Sequence, residues 1–127
     1  PPDDYKFYCF DGVCKAILLC TNRTRHSVDY LYFDRAFCLY PINHETVAAA
    51  AAGKTFDKPE LLDEMIGLAE RLSTGFRFLR VDLYQANGQI YFGELTLFDN
   101  SGFATDLTDE GDAILGECLR IGEEEPA

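Results

Sequence analysis

Several things are scarce in this 127-residue chain, and each scarcity excludes a class of function. Positive charge is the first: 11 Lys and Arg stand against 22 Asp and Glu, a net charge of −11. Such a balance argues against a nucleic-acid backbone or an anionic membrane surface as partner. No apolar run approaches the roughly 18 residues needed to span a bilayer, so no membrane span is expected. No signal peptide is visible, and a cytoplasmic protein is the default expectation. The five cysteines (Cys9, Cys14, Cys20, Cys38 and Cys118) are odd in number and form no Cys-x-x-Cys pair. Cys9, Cys14 and Cys20 sit among apolar residues, where a free thiol behaves as a small hydrophobe. The only two histidines, His26 and His44, are isolated from any ligand-spaced Cys or carboxylate, so neither a zinc site nor a histidine-based reaction is expected. Gly-x-Ser-x-Gly is missing too. The Ala48–Thr55 stretch ends like a phosphate-binding P-loop, but Ala48 stands where its first glycine belongs.

What is present suits one globular unit. Hydrophobic residues make up 47% and charged residues 26%, an ordinary balance. The chain reads as a single domain-sized unit, 1–127, ending in an acidic tail over 122–127. Residues 5–10 and 13–20 are β-prone runs joined by Asp11-Gly12, a hairpin pattern. Residues 28–34 alternate as a third strand. Residues 35–57 stay open between helical turn and loop. Residues 58–73 read as a helix with Asp57 as N-cap and Glu60 completing a capping box. Its expected apolar stripe is Leu61, Leu62, Met65, Leu68, Ala69 and Leu72, and Gly75 is its stop. Residues 76–84 and 90–98 read as two strands, and 109–121 as a short closing helix. The fold class expected is α+β, an antiparallel sheet with helices packed on one face.

The hairpin of the last two strands carries the candidate chemistry. Arg80 and Asp82 share a face of the first strand, and Glu94 and Thr96 share a face of the second. Whether the two pairs face together depends on the loop. A two-residue Asn87-Gly88 turn would pair Ala86 with Gln89 and put Asp82 and Glu94 on opposite faces. A three-residue Ala86-Asn87-Gly88 loop would set Arg80 opposite Glu94, with Asp82 diagonal to it. The second register is the one expected, since Gly88 suits its left-handed position. Two carboxylates gathered in this way suit Mg²⁺, and a neighbouring Arg suits phosphate oxygens.

The stretch KPELLDEMIGLAERLSTGFRFLRVDLYQANGQIYFGELTLFDNSGF resembles the C-terminal half of ATP-grasp proteins, in particular the teichuronopeptide-biosynthesis (TupA-like) branch. The opening DYKFYCFDGVCKAILLCTNR is similar to that branch as well. The resemblance implies ATP and Mg²⁺ as cofactors and a carboxylate-activating ligase chemistry linked to cell-surface polysaccharide assembly. It implies Asp82 and Glu94 as metal ligands, with Thr96 at a position where the wider family has Asn. It implies Arg80 as the catalytic Arg that steadies the transferring phosphate. Arg23 and Lys6 would reach phosphate, Asn100 would compensate for Thr96, and Gly102 would present backbone N–H groups. Implied partners are a nucleotide, a polysaccharide or amino-acid acceptor, and an adenine-gripping subdomain preceding Pro1. On that reading the chain is a fragment, inactive alone, of a longer enzyme. Two alternatives stand beside it: a non-catalytic interaction module of the same fold, and a glycosyltransferase of the same pathway. Asp82 and Glu94 on opposite faces would favour the module.

Overall fold

A computed structural model describes residues 3–97 together with Thr108, Asp109 and Ala113. Of the expected closing helix only Asp109 and Ala113, both helical, are described; the rest of it, the acidic tail, Asn100, Gly102 and Cys118 lie outside the described residues.

Five antiparallel strands form one sheet in the order β3-β2-β1-β4-β5. They are β1 (Asp4–Phe10), β2 (Val13–Thr21), β3 (Asp29–Phe33), β4 (Phe78–Ala86) and β5 (Gln89–Leu97). Asp11 and Gly12 turn β1 into β2 with φ of 51° and 80°. Asn87 and Gly88 do the same between β4 and β5 with φ of 53° and 73°. Positive φ at both central residues matches the twist of the flanking strands, which is why Asp-Gly and Asn-Gly occupy these places.

Two helices lie between β3 and β4: α1 (His44–Ala51) and α2 (Leu62–Ser73). α2 packs on one face of the sheet, with Leu62, Met65, Ile66 and Ala69 buried against Phe7, Ile17, Leu79, Val81 and Leu83. Its buried stripe is rotated from the expected one. Ile66 and Ser73 point inward, and Leu72 is exposed. The helix also starts later than expected. Leu61 is the N-cap and makes no side-chain cap of its own. Instead the Leu61 N–H donates to Oε1 of Gln85, on β4, at 3.0 Å. A tertiary acceptor replaces the Asp57–Glu60 capping box, so the first turn of the expected helix is spent in the Pro59–Leu62 turn.

The open stretch 35–57 contains α1. Asn43 caps it by accepting from the Thr46 N–H at 3.0 Å. α1 sits at the edge of β3 and satisfies that strand's outward amides, while the Tyr32 carbonyl accepts from the Tyr40 N–H at 2.9 Å. The Tyr30 N–H donates to Glu45 Oε2 at 3.0 Å, and the Tyr32 N–H to Thr46 Oγ1 at 2.9 Å. Nδ2 of Asn43 donates to the Tyr30 carbonyl at 3.0 Å. The P-loop look-alike is thereby excluded. Ala48–Ala51 form the last turn of α1, and Gly53, with φ of 69°, follows its C-terminus. A P-loop opens a helix, where N–H groups meet phosphate, whereas this end presents carbonyls.

On the face away from α2, Tyr8, Phe10, Leu18, Cys20, Tyr32, Ile42 and Phe78 form a second cluster. Cys9, Cys14 and Cys20 are buried free thiols as expected, and Cys38 is exposed. No helix among the described residues is long and apolar enough to cross a membrane.

Candidate functional site

The second face changes character along the sheet. One row of cross-strand neighbours runs Tyr32, Leu18, Lys6, Asp82, Glu94 through all five strands. It is apolar at the β3 side and charged at the β5 side. The adjacent row brings Tyr8, Arg80 and Thr96 together.

The turn between β4 and β5 is the two-residue one, with Ala86 paired to Gln89, so the expected three-residue loop is not formed. By alternation alone that turn separates Asp82 from Glu94. The strands avoid the separation with a β-bulge. Leu83 pairs with Phe92 and Asp82 with Glu94, so Gly93 is the extra residue. One inserted residue exchanges the faces of everything beyond it. Asp82 and Glu94 are therefore direct neighbours on one face. Arg80 lies opposite Thr96 rather than opposite Glu94, a further correction of the expected register. Crowding favours glycine at the bulge. A Cβ on Gly93 would lie 3.1 Å from the Asp82 carbonyl oxygen and 3.5 Å from the Asp82 Cβ.

Asp82 is the buried centre, its side chain only 5% exposed. Its Oδ1 accepts from Arg80 Nε at 2.9 Å, and its Oδ2 from Arg80 Nη2 at 3.0 Å. This is the two-pronged geometry that a guanidinium makes with a carboxylate. Lys6 Nζ reaches the same Oδ2 at 2.8 Å and Asp4 Oδ2 at 2.9 Å. Arg80 Nη2 also stands 3.4 Å from Oε1 of Glu94, whose side chain is largely exposed. Burial alone would lower the Lys6 ammonium, but the hydrogen bonds it donates to Asp82 and Asp4, and their charges, hold it above its ordinary range. Burial would likewise lower Arg80, and Asp82 holds it up. A charge taken partly out of water is tolerated here because each is paired.

A hollow of about 320 Å³ opens beside this cluster, lined by Asp4, Lys6, Arg23, Asp82, Tyr84, Gly93 and Glu94. Six of the expected site residues are thus placed. Arg80, Asp82, Glu94 and Thr96 share one sheet face, and Lys6 and Arg23 meet Asp82 and Glu94 in the hollow. Asp4, Tyr84 and Gly93 were not expected. Gly93 was open to discovery, because an isolated glycine inside a strand pattern signals a bulge. Asp4 shares the face of Lys6 by strand alternation, but its pairing is a tertiary fact.

Among the described residues, no group of three or more His, Cys, Asp or Glu side chains stands at metal-holding spacing. The donor set is nevertheless suited to Mg²⁺, which takes oxygen ligands and needs only one or two carboxylates when waters and phosphates fill the rest. Asp82 and Glu94 supply that number on adjacent strands, with the partly buried Thr96 on the same face.

The family profile described as TupA-like ATPgrasp matches residues 2–120. The chain belongs to the TupA-like ATP-grasp family. No curated protein matches this ATP-grasp chain in sequence. Solved structures are similar to it, two of them complexes of one ligase. One is the ATP-grasp ligase PsnB complexed with a minimal precursor, 13% identical with a TM-score of 0.48 over 97% of this chain. The other is PsnB complexed with a phosphomimetic variant of that precursor, Mg and ADP, 16% identical with a TM-score of 0.48 over 98% of this chain. The TupA-like chain spans about a third of the length of these structures, 33% and 34% respectively.

Proposed function

We propose that this chain is the metal- and triphosphate-holding part of an ATP-grasp ligase acting in cell-surface polysaccharide, teichuronopeptide-type, assembly. The observation that carries the reading is the pairing of Asp82 with Glu94 across β4 and β5, with Arg80 bonded to one and beside the other. Asp82 and Glu94 would hold Mg²⁺, with Thr96 as a neutral oxygen donor. Bound Mg²⁺ would neutralise phosphate charge during phosphoryl transfer. Arg80 keeps a fixed guanidinium at the point where negative charge builds on the transferring phosphoryl group. Lys6 and Arg23 line the hollow where the remaining phosphate oxygens would lie. Asn100 and Gly102 belong to the same proposal as a further oxygen donor and an N–H donor. The acceptor is a polysaccharide or an amino acid. The adenine-gripping subdomain belongs to a longer protein in which this chain supplies the C-terminal part of the ATP-grasp domain. A cytoplasmic location is part of the proposal, because it supplies ATP and keeps Cys9, Cys14 and Cys20 reduced.

Two measurements test it. In the longer protein, Glu94→Gln abolishes Mg²⁺-dependent ATP cleavage; unchanged turnover would sink the assignment. The 127 residues alone bind Mg-ATP poorly, and sub-micromolar affinity by calorimetry would contradict the division of the site. The interaction-module alternative expects neither ATP cleavage nor any effect of Glu94→Gln.

A further inference from the structure

The buried carboxylate at the centre of the site has two cations on it. Its Oδ2 accepts from both Lys6 Nζ and Arg80 Nη2, and a carboxylate oxygen has two lone pairs. Oδ1 accepts from Arg80 Nε and keeps its second lone pair. A divalent cation near Asp82 therefore meets the Lys6 ammonium at close range. The two cations on Asp82 differ in how firmly they are placed. Arg80 is held by two parallel bonds, which a planar guanidinium makes without further adjustment. Lys6 is held on Asp82 by a single bond at the end of a flexible four-carbon stem. It also has a second carboxylate in place, Asp4 Oδ2 at 2.9 Å, on its own strand and on the outer side of the same hollow.

We infer that Lys6 is a built-in counter-cation for Asp82, which competes with a divalent metal for that carboxylate and withdraws onto Asp4 when the metal binds. This deepens the function proposed above and rests on it for the metal site. Its physical reason is the cost of an unpaired buried carboxylate. With a side chain 5% exposed, Asp82 needs a positive partner in every state of the protein. Arg80 meets part of that need in every state, and Lys6 supplies the second positive charge that Oδ2 takes where a metal does not. The penalty is a weaker metal affinity than two bare carboxylates would give. Asp4 reduces that penalty by keeping the displaced ammonium paired, and it holds Lys6 at the wall of the hollow where an anionic ligand would meet it.

The test is titration of the 127-residue chain with Mn²⁺, a paramagnetic probe read by water-proton relaxation without any turnover. Lys6→Met keeps the apolar stem and removes the charge. The expectation is Mn²⁺ binding tighter by about tenfold or more, the effect of deleting one unit of like charge a few ångströms from the metal. Glu94→Gln weakens binding in both backgrounds, which locates the ion. Asp4→Asn weakens Mn²⁺ binding in the wild type but much less in the Lys6→Met background, because Asp4 acts through Lys6; equal weakening in both would leave only a through-space charge effect and overturn the withdrawal step. Lys6→Met affinity equal to or below wild type, in a variant with unchanged circular dichroism, overturns the inference while a Glu94-dependent Mn²⁺ site still supports the proposed function. Absence of Mn²⁺ binding in both wild type and Lys6→Met overturns the inference alone, while the proposed function stands or falls by Glu94→Gln turnover in the longer protein. Lys6→Gln repeats the comparison if Lys6→Met does not fold.

Discussion

Gly93 shows how one residue can decide a site. Its missing Cβ lets β5 pass within 3.1 Å of where that atom would meet the Asp82 carbonyl. The clashing atom is backbone of a strand paired on both sides, so it has little freedom to give way. Gly93→Ala is expected to cost about 1–2 kcal/mol in urea unfolding, the usual range for forced overpacking. A larger effect is expected on Mn²⁺ affinity, because relaxation of the bulge turns Glu94 away from Asp82. Preserved metal binding alongside lost stability would show that the bulge is structural only. Two other residues contribute to the response to alkali. Burial pushes the Tyr5 phenol up to about 12, and Lys6 is held above its ordinary 10.5. For Tyr5 the folded chain binds the proton that the unfolded chain has lost, so stability falls as pH rises from about 10 towards 12. For Lys6 the stabilisation is complete below 10.5 and disappears as pH climbs through the higher folded value. Absorbance titration near the tyrosinate band checks the first, with Tyr5→Phe removing one of the two late-titrating phenols, the other being Tyr8, which burial also raises; urea unfolding across the same pH range, with Lys6→Met for comparison, checks the second.

At the scale of the element, local patterns identified the strands and the longer helix but not what joins them. Asp11-Gly12 and Asn87-Gly88 name their turns because positive φ is a local demand. The capping of α2 was not legible, since the oxygen that serves the Leu61 N–H is on Gln85, 24 residues away. The register of the β4–β5 hairpin was misread for a related reason. Periodicity counts residues and takes pairing as regular, whereas the bulge adds one residue to one strand only. The expected gathering of Asp82 and Glu94 on one face was reached, but by a different route. α1 was the least legible element, because an alanine run has no apolar face to mark and its start depends on buried polar contacts. Asn43 is fully buried, accepts from Thr46 and donates to the Tyr30 carbonyl. Asn43→Ala is expected to cost about 2 kcal/mol or more, as a lost cap combined with a stranded buried carbonyl. Equilibrium denaturation checks it, and a change below about 0.5 kcal/mol would mean that α1 is held by other contacts.

Over the whole molecule, the net charge of −11 has a local exception. Asp4, Asp82 and Glu94 share the hollow and its border with Lys6, Arg23 and Arg80, so the formal charges there cancel. The acidic surplus lies elsewhere on the chain. An anionic ligand approaching this face meets a neutral, cation-studded surface on an otherwise repelling body, which favours entry at one place. The same distribution explains why composition, which argues against nucleic acid as a partner, could not locate the site: a chain-wide sum hides a cluster that balances internally.

The two borders of the sheet are finished differently. β3 gives its outward amides to Glu45 and Thr46 of a helix instead of to another strand. The Tyr30 and Tyr32 amides are therefore shielded from solvent by side chains, and their exchange with deuterium will follow the opening of α1 and not the melting of the sheet. Under native conditions both should exchange together, faster than the amides of Phe7 or Val81 in the central strands, and Asn43→Ala should accelerate that pair selectively. A border sealed in this way cannot accept a further strand without first losing its helix.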